Sequence, residues 1–412
     1  MDKLDLYNKN ITSFDEDAFQ SFKNVVSITL YYNEIEEVPR NLFKNLSKLK
    51  NLDLSYNKIT SLEETVFFDL AELEILSLSA NQIRFLSSST FDNLISLKTL
   101  TLSDNKLTFV DSCLFKVLRS LTHLNLDLNL IERVTLPPLD KLVELRLNNN
   151  QLTKFEVKIS DFLKSLQDLY LYNNSIKTFP TDVFNDAQNL DSIYLDFNQI
   201  EKIDQNWFKN VPKLGSLGLS GNQLTMISDD FLQSQSLMTL YLNMNAISYI
   251  APTAFSKLTN LHAINLRENK LMNVHENLFE KNKNLETIEL SSNFLSHVPA
   301  DLFYGLGKLK QISLNNNFIQ SLDSSIFSSA TQVTKIHLND NKISAISKTL
   351  FSNTKQLTTL HLFNNALTSI DSRCFSGLSN LADLRLAGNF FIAPVPIEDI
   401  KIIATPSVRI SV

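Results

Sequence analysis

Glycine is scarce in this chain, with 7 in 412 residues. That leaves no room for Gly-rich linkers and no glycine-rich loop to cradle a phosphate. Cysteine is scarcer still, limited to Cys113 and Cys374. Two thiols supply neither a disulfide framework nor a metal-ligand spacing. A basic surplus is also missing: 38 Lys and Arg stand against 44 Asp and Glu, a net charge of −6. This argues against nucleic-acid or membrane-surface binding driven by bulk charge. No apolar run is long enough to cross a bilayer, and no leader peptide pattern is visible. Also lacking are HExxH, a nucleophile elbow and a convincing pair of acids in a pocket. The sequence therefore reads as a non-enzyme with no cofactor and no metal.

What is present is repetition. Residues 49–72, LKNLDLSYNKITSLEETVFFDLAE, fit the template LxxLxLxxNxLxxLxxxxFxxLxx, and the chain repeats it from end to end. The 17 units start at Met1, Val25, Leu49, Leu73, Leu97, Leu121, Leu142, Leu166, Leu190, Leu214, Leu237, Leu261, Leu285, Leu309, Val333, Leu357 and Leu381. Position nine is Asn in 16 of them, Lys9 being the departure, and position 19 is Phe in 13. A fixed period with this pattern resembles the typical, 24-residue class of leucine-rich repeat. The fold expected is an α/β solenoid, a horseshoe with a parallel β-sheet on its concave face. Short 3₁₀ and loop segments should form the convex face, for example around residues 161–164, with no long helix.

Each template position has a physical reason. The LxL centre is a short strand whose residues alternate inward and outward. Its leucines bury themselves only against the next turn, so stacking builds one continuous core. The Asn amide turns inward where the chain leaves the strand and satisfies backbone groups that would otherwise be buried unpaired. The position-19 ring fills the outer side. These residues are structural and not candidate sites.

Residues 1–394 are expected to form one solenoid domain and 395–412 a tail covering the last turn. Irregularities fall at 121–165 and 214–236. Unit six is shortened and carries Pro137 and Pro138, unit seven has Ser160 in place of Phe with Phe162 nearby, and in unit ten Phe231 arrives one place early. The two cysteines are eleven repeats apart and cannot pair; both are expected to be small buried or half-buried hydrophobes. Met1 falls at position one of a repeat and neither end has a cysteine-rich cap, so a fragment of a longer protein is expected.

Positions three, five, seven and eight should face the concave side and align in columns about 4.8 Å apart. The foremost candidate ligand site is an aromatic surface of Tyr170, Tyr172, Tyr194, Phe197, Tyr241 and Met244. It is flanked by Asp168, Asp191 and Asp196, with a gap at Gly218, Ser220 and Gly221. Tyr7, Tyr31, Tyr32 and Tyr56 form a second group. Phe294 and Phe318, at position ten, form a lateral patch for a partner or a second copy, with Leu128 and Leu130 a weaker case. His337 and His361 share a column near Lys335, Asp340 and Arg385; without a third ligand they are a poor metal site. The sequons are at Asn10, Asn45 and Asn173, Asn45 being the best placed for a glycan.

Units such as LKQISLNNNFIQSLDSSIFSSA are similar to those of Toll-type receptor ectodomains, Slit-like and chaoptin-like proteins and insect leucine-rich immune proteins. That resemblance implies a secreted or cell-surface recognition protein in innate immunity, adhesion or signalling. Its partner would be a protein ligand or co-receptor, a microbial glycan or lipid, or a second copy; no nucleic acid and no membrane insertion are expected. An intracellular scaffold of the same fold, in the cytoplasm, is the alternative.

Overall fold

The computed structural model describes residues 3–157, 161, 163–208, 211–229, 231–405 and 407–412. Met1, Ser160 and Phe162 lie outside the described residues, as does part of the turn expected at 161–164. The fold is a parallel-strand β-solenoid of about 17 turns. It divides into two compact units, Met1–Gln199 with Asn206–Lys213, and Ile200–Gln205 with Leu214–Val412.

In the first unit, three-residue strands pair in parallel at the repeat spacing. The ladder starts at Lys3–Asp5, Ser27–Thr29 and Asn51–Asp53, and continues to Glu144–Arg146, Asp168–Tyr170 and Ser192–Tyr194. The central residue of each, such as Leu52 or Leu169, points into the core, and its neighbours face outward. On the opposite side the position-19 rings stack in file: Phe43 lies 6.2 Å from Phe67, which lies 6.3 Å from Phe91. The file resumes at Phe184, 5.3 Å from Phe208, beside the buried Trp207.

In the second unit the ladder runs through Ser216–Gly218, Thr239–Tyr241, Ala263–Asn265 and Thr287–Glu289 to Asp383–Arg385. The strand Arg409–Ser411 pairs onto that last turn, and the helix Ile397–Ile403 buries Ile400. Phe327 stacks between Phe303 and Phe351, at 6.2 and 6.0 Å.

Two features of the outer side differ from the sequence reading. Besides 3₁₀ turns at Ser112–Phe115 and Ser372–Phe375, short parallel strands form there. Phe109–Val110 pairs with Arg133–Val134 in the first unit, and Met226–Ile227 with Tyr249–Ile250 in the second. Both pairs sit at the length irregularities, where shortened turns bring the backbone alongside. Cys113 also corrects its expectation. It is exposed, because Leu114 and Phe115 take the inward positions of its turn; Cys374 is buried.

The position-nine asparagine clamps adjacent turns. Asn57 accepts from Ile35 N at 3.0 Å and donates to Leu30 O and Leu54 O, each at 3.0 Å. Asn293 repeats this in the second unit with Leu271 N, Leu266 O and Leu290 O. The residue before each of these asparagines is left-handed. Tyr32, Tyr56, Leu128, Phe197 and Met244 all have φ between 52 and 61°, a conformation that costs a non-glycine residue roughly 1–2 kcal/mol. Glycine occupies the same place at Gly221 and Gly388.

Asn81→Ala would strip the partners from Ile59 N, Leu54 O and Leu78 O. At roughly 1–3 kcal/mol for a buried unpaired group, with relaxation and water softening the sum, a loss on the order of 3 kcal/mol is expected in urea unfolding. Lys48→Ala, which removes an exposed bond to Asn24, should change stability by about 0.5 kcal/mol or less. Equal effects would show that the asparagine is not the clamp.

Candidate functional site

Parallel pairing places residues one repeat apart directly beside each other. In the first unit this brings Arg146, Tyr170 and Tyr194 into one row. The Arg146 guanidinium lies 4.5 Å from the centre of the Tyr170 ring, and Tyr170 stacks on Tyr194 at 5.0 Å with 15° between planes. Arg146 Nε donates to Glu144 Oε1 at 2.8 Å, which holds the guanidinium against the ring and raises its pKa. Burial raises the Tyr170 phenol and the Asp168 carboxyl beside it. Each ring or cation contact of this kind contributes on the order of 1 kcal/mol, so the stacked row is favoured before any ligand arrives.

Tyr172 is half-buried on the same strand exit and Phe197 is exposed. Neighbouring Asp127 and Asn148 are buried, and the Oδ1 atom of each has no hydrogen-bond partner among the described residues. Burial pushes the Asp127 carboxyl up to about 6, against the pull of Arg146 and Asn148. Sequence reasoning passed over Glu144, Arg146, Asp127 and Asn148. Their signal was positional, at three, five and seven of units six and seven, and charge without periodicity did not reveal it.

Tyr241 and Met244 belong to the second unit, both exposed. Tyr241 has Gly218 on one side and Asn265 on the other. Ser220 is buried and donates to Asn243 Oδ1 at 2.8 Å.

The remaining candidates resolve as follows. Tyr31 stacks on Tyr7 at 5.4 Å and meets Tyr56 edge-on at 5.0 Å, with Tyr32 between them. Phe294 stacks on Phe318 at 6.0 Å, both largely exposed, with Lys342 Nζ 4.7 Å from the Phe318 ring centre. Leu128 and Leu130 are exposed. Asn10, Asn45 and Asn173 are all exposed and left-handed, and the Asn173 amide also donates to Asn149 Oδ1 at 2.6 Å.

His337 and His361 meet at 3.0 Å through their Nδ1 atoms, and His361 Nε2 lies 3.0 Å from Asp383 Oδ2. Burial, then the His361, Lys335 and Arg385 charges, lowers His337 to about 4. Burial alone would raise Asp383; His361 and Arg385 outweigh it and hold the carboxyl low. Among the described residues, no group of three or more His, Cys, Asp and Glu side chains could hold a metal ion. No helix there is long and apolar enough to cross a membrane.

A family model described as leucine rich repeat matches residues 23–83, 71–131, 140–200 and 331–391, more than half of the chain. A second, described as BspA type leucine rich repeat region (6 copies), matches 177–298 and 225–330. No curated protein gives a significant match. Among solved structures, a leucine-rich repeat protein of Leptospira interrogans is 27% identical with a TM-score of 0.78, the alignment covering 99% of this chain and 95% of that one. The Drosophila Toll–Spatzle complex matches at 20% identity and TM-score 0.75, over 99% of this chain and 53% of that one. The plant peptide hormone receptor RGFR1 in complex with RGF2 matches at 22% and 0.62, over 97% and 72%.

Because His337 titrates at about 4 in the folded chain and near 6.5 when unfolded, the unfolded state takes up the proton first as pH falls. The stability this neutral imidazole supplies is full above about pH 6.5 and is lost as pH drops toward 4. Urea unfolding at pH 7 and 4.5 should show that His337→Gln loses less stability than the unmodified chain, by on the order of 1–2 kcal/mol after solvent screening. Identical losses would refute the assignment.

Proposed function

The chain belongs to the leucine-rich repeat family, and from that premise we propose that it is a protein-recognition module whose ligand docks on the ladder face of the first unit. Tyr170, Tyr172, Tyr194 and Phe197 are its contact residues. The observation that carries this reading is the row Arg146–Tyr170–Tyr194: a cation and two rings stacked on a rigid ladder and still accessible. Tyrosine and arginine dominate the energetics of protein interfaces. They offer large contact area and a polar tip for little lost side-chain freedom. Here the stacking has already fixed the rotamers, which lowers the ordering cost of binding. The glutamate and aspartates around the row favour a ligand surface with positive charge.

The setting proposed is outside the cell or at its surface, as for a receptor or adhesion protein. The relatives solved as complexes, Toll with Spatzle and the plant receptor with the peptide hormone RGF2, support a polypeptide ligand. Tyr241 and Met244 on the second unit are proposed as further contact residues, Phe294 and Phe318 as a lateral patch for a co-receptor or a second copy, and Asn45 and Asn10 as glycan acceptors. The ladder face is open, unlike the enclosed, water-excluding cavities of enzymes, so a binding role is favoured over catalysis.

Affinity capture from the native source, with the bound protein identified and then titrated in pure form, tests this. Tyr170→Ser combined with Tyr194→Ser should weaken binding at least about 30-fold, from hot-spot losses of roughly 2 kcal/mol or more. Phe68→Ser, on the outer side, should bind normally. Undiminished binding by the tyrosine variant would place the interface elsewhere.

A further inference from the structure

The ladder face of the second unit contains a cavity of about 230 Å³, lined by Thr239, Tyr241, Ala263, Asn265, Thr287 and Glu289. Its walls come from alternate strands. Tyr241, Asn265 and Glu289 occupy one row on successive strands, so the phenol ring and the carboxylate stand two strand spacings apart, roughly 10 Å. The strand between them contributes only short side chains, Ala263 and Asn265, and the space above these is the cavity.

The carboxylate is held in place. Gln311 Nε2 and Ser313 Oγ donate to Glu289 Oε1 at 2.7 and 2.8 Å. Both donors serve the same oxygen, leaving Glu289 Oε2 with acceptor capacity toward a ligand. Arg267, the cation at the end of the middle strand, is paired with Glu268 at 2.8 Å and does not line the cavity.

The first unit combines the same three groups in a different layout, with the glutamate and the arginine on one strand and the ring on the next. There a guanidinium lies on a tyrosine ring at 4.5 Å and donates to a glutamate at 2.8 Å, all within the chain. The second unit presents the ring and the carboxylate with space where the guanidinium would lie. We propose that this cavity is a receptor for a single arginine side chain of a protein partner. The planar guanidinium stacks on Tyr241 and donates to Glu289 Oε2, while its aliphatic stem covers Ala263. An ammonium would form the ion pair but not the stack, so arginine is preferred to lysine. The proposal rests on the protein-recognition reading above, extended to this second surface.

The test uses blocked single residues, so that it needs no partner protein. The chain carries labelled alanine and isoleucine methyl groups, and Nα-acetyl-arginine amide is titrated into it. Saturable shifts of the Ala263 and Ile264 methyls are expected in the millimolar range. They should weaken at least tenfold with Glu289→Gln and at least tenfold when the neutral isostere Nα-acetyl-citrulline amide replaces arginine. The Ile312 methyl, buried in the core, reports that the variant is folded. No shift at Ala263, equal binding of citrulline, or undiminished binding by folded Glu289→Gln would each overturn the proposal. So would free L-arginine binding tenfold tighter than the blocked form, which would mark an amino-acid site. Arginine-probe binding with no protein captured by the first unit would fault only the broader reading.

Discussion

One side-chain amide holds this structure together. Leucine burial supplies the bulk of the stabilisation, but leucines pack in many registers. The position-nine asparagine accepts only one. It bonds a nitrogen and a carbonyl of the turn before it and a carbonyl of its own turn, as Asn57 and Asn293 do. Those groups lie in the core, where an unpaired donor or acceptor is costly. A slip of one residue between turns would take the amide away from both of its partners in the preceding turn. The left-handed residue before each asparagine is part of the same device. It aims the amide inward, and the bonds offset the conformational cost even where the residue is as bulky as Leu128 or Phe197.

Because register is fixed by the repeat, most of the fold is legible in the sequence. Leucine spacing located the strands, the offset between units paired them, and the recurring phenylalanines marked the file on the opposite side. The left-handed position was not legible. Tyr32, Phe197 and Met244 have no intrinsic preference for it, and only the geometry of the turn imposes it. Cys113 was misjudged because an apolar side chain in a short turn need not point inward. The strand pairs at Phe109–Val110 and Met226–Ile227 arise where turn lengths change, and a template cannot describe its own exceptions.

The candidate site was half legible. Tyrosines at matching positions announced a stacked row, and Tyr170 and Tyr194 form one. Arg146 and Glu144 were hidden because a charged residue on an exposed strand position is unremarkable by itself. Their role appears only when pairing puts the guanidinium on a neighbouring ring. The cavity beside Tyr241 is a similar case: Asn265 is conspicuous in space, not in sequence, for being the shorter side chain between Tyr241 and Glu289.

The asparagine bonds have a direction. Each turn is closed by the amide of the turn that follows it, never by its own alone. Asn33 serves Lys9 and Ile11, and Asn389 serves Leu367 and Leu362. A chain leaving the ribosome therefore cannot complete a turn when that turn emerges. It must wait for the next asparagine, so closure trails synthesis by one repeat along the whole solenoid. For the turn begun at Leu381 the partner is of another kind: Ser411 O accepts from Leu386 N, and the strand Arg409–Ser411 pairs with Asp383–Arg385. Translation must reach Ser411 before this turn can settle.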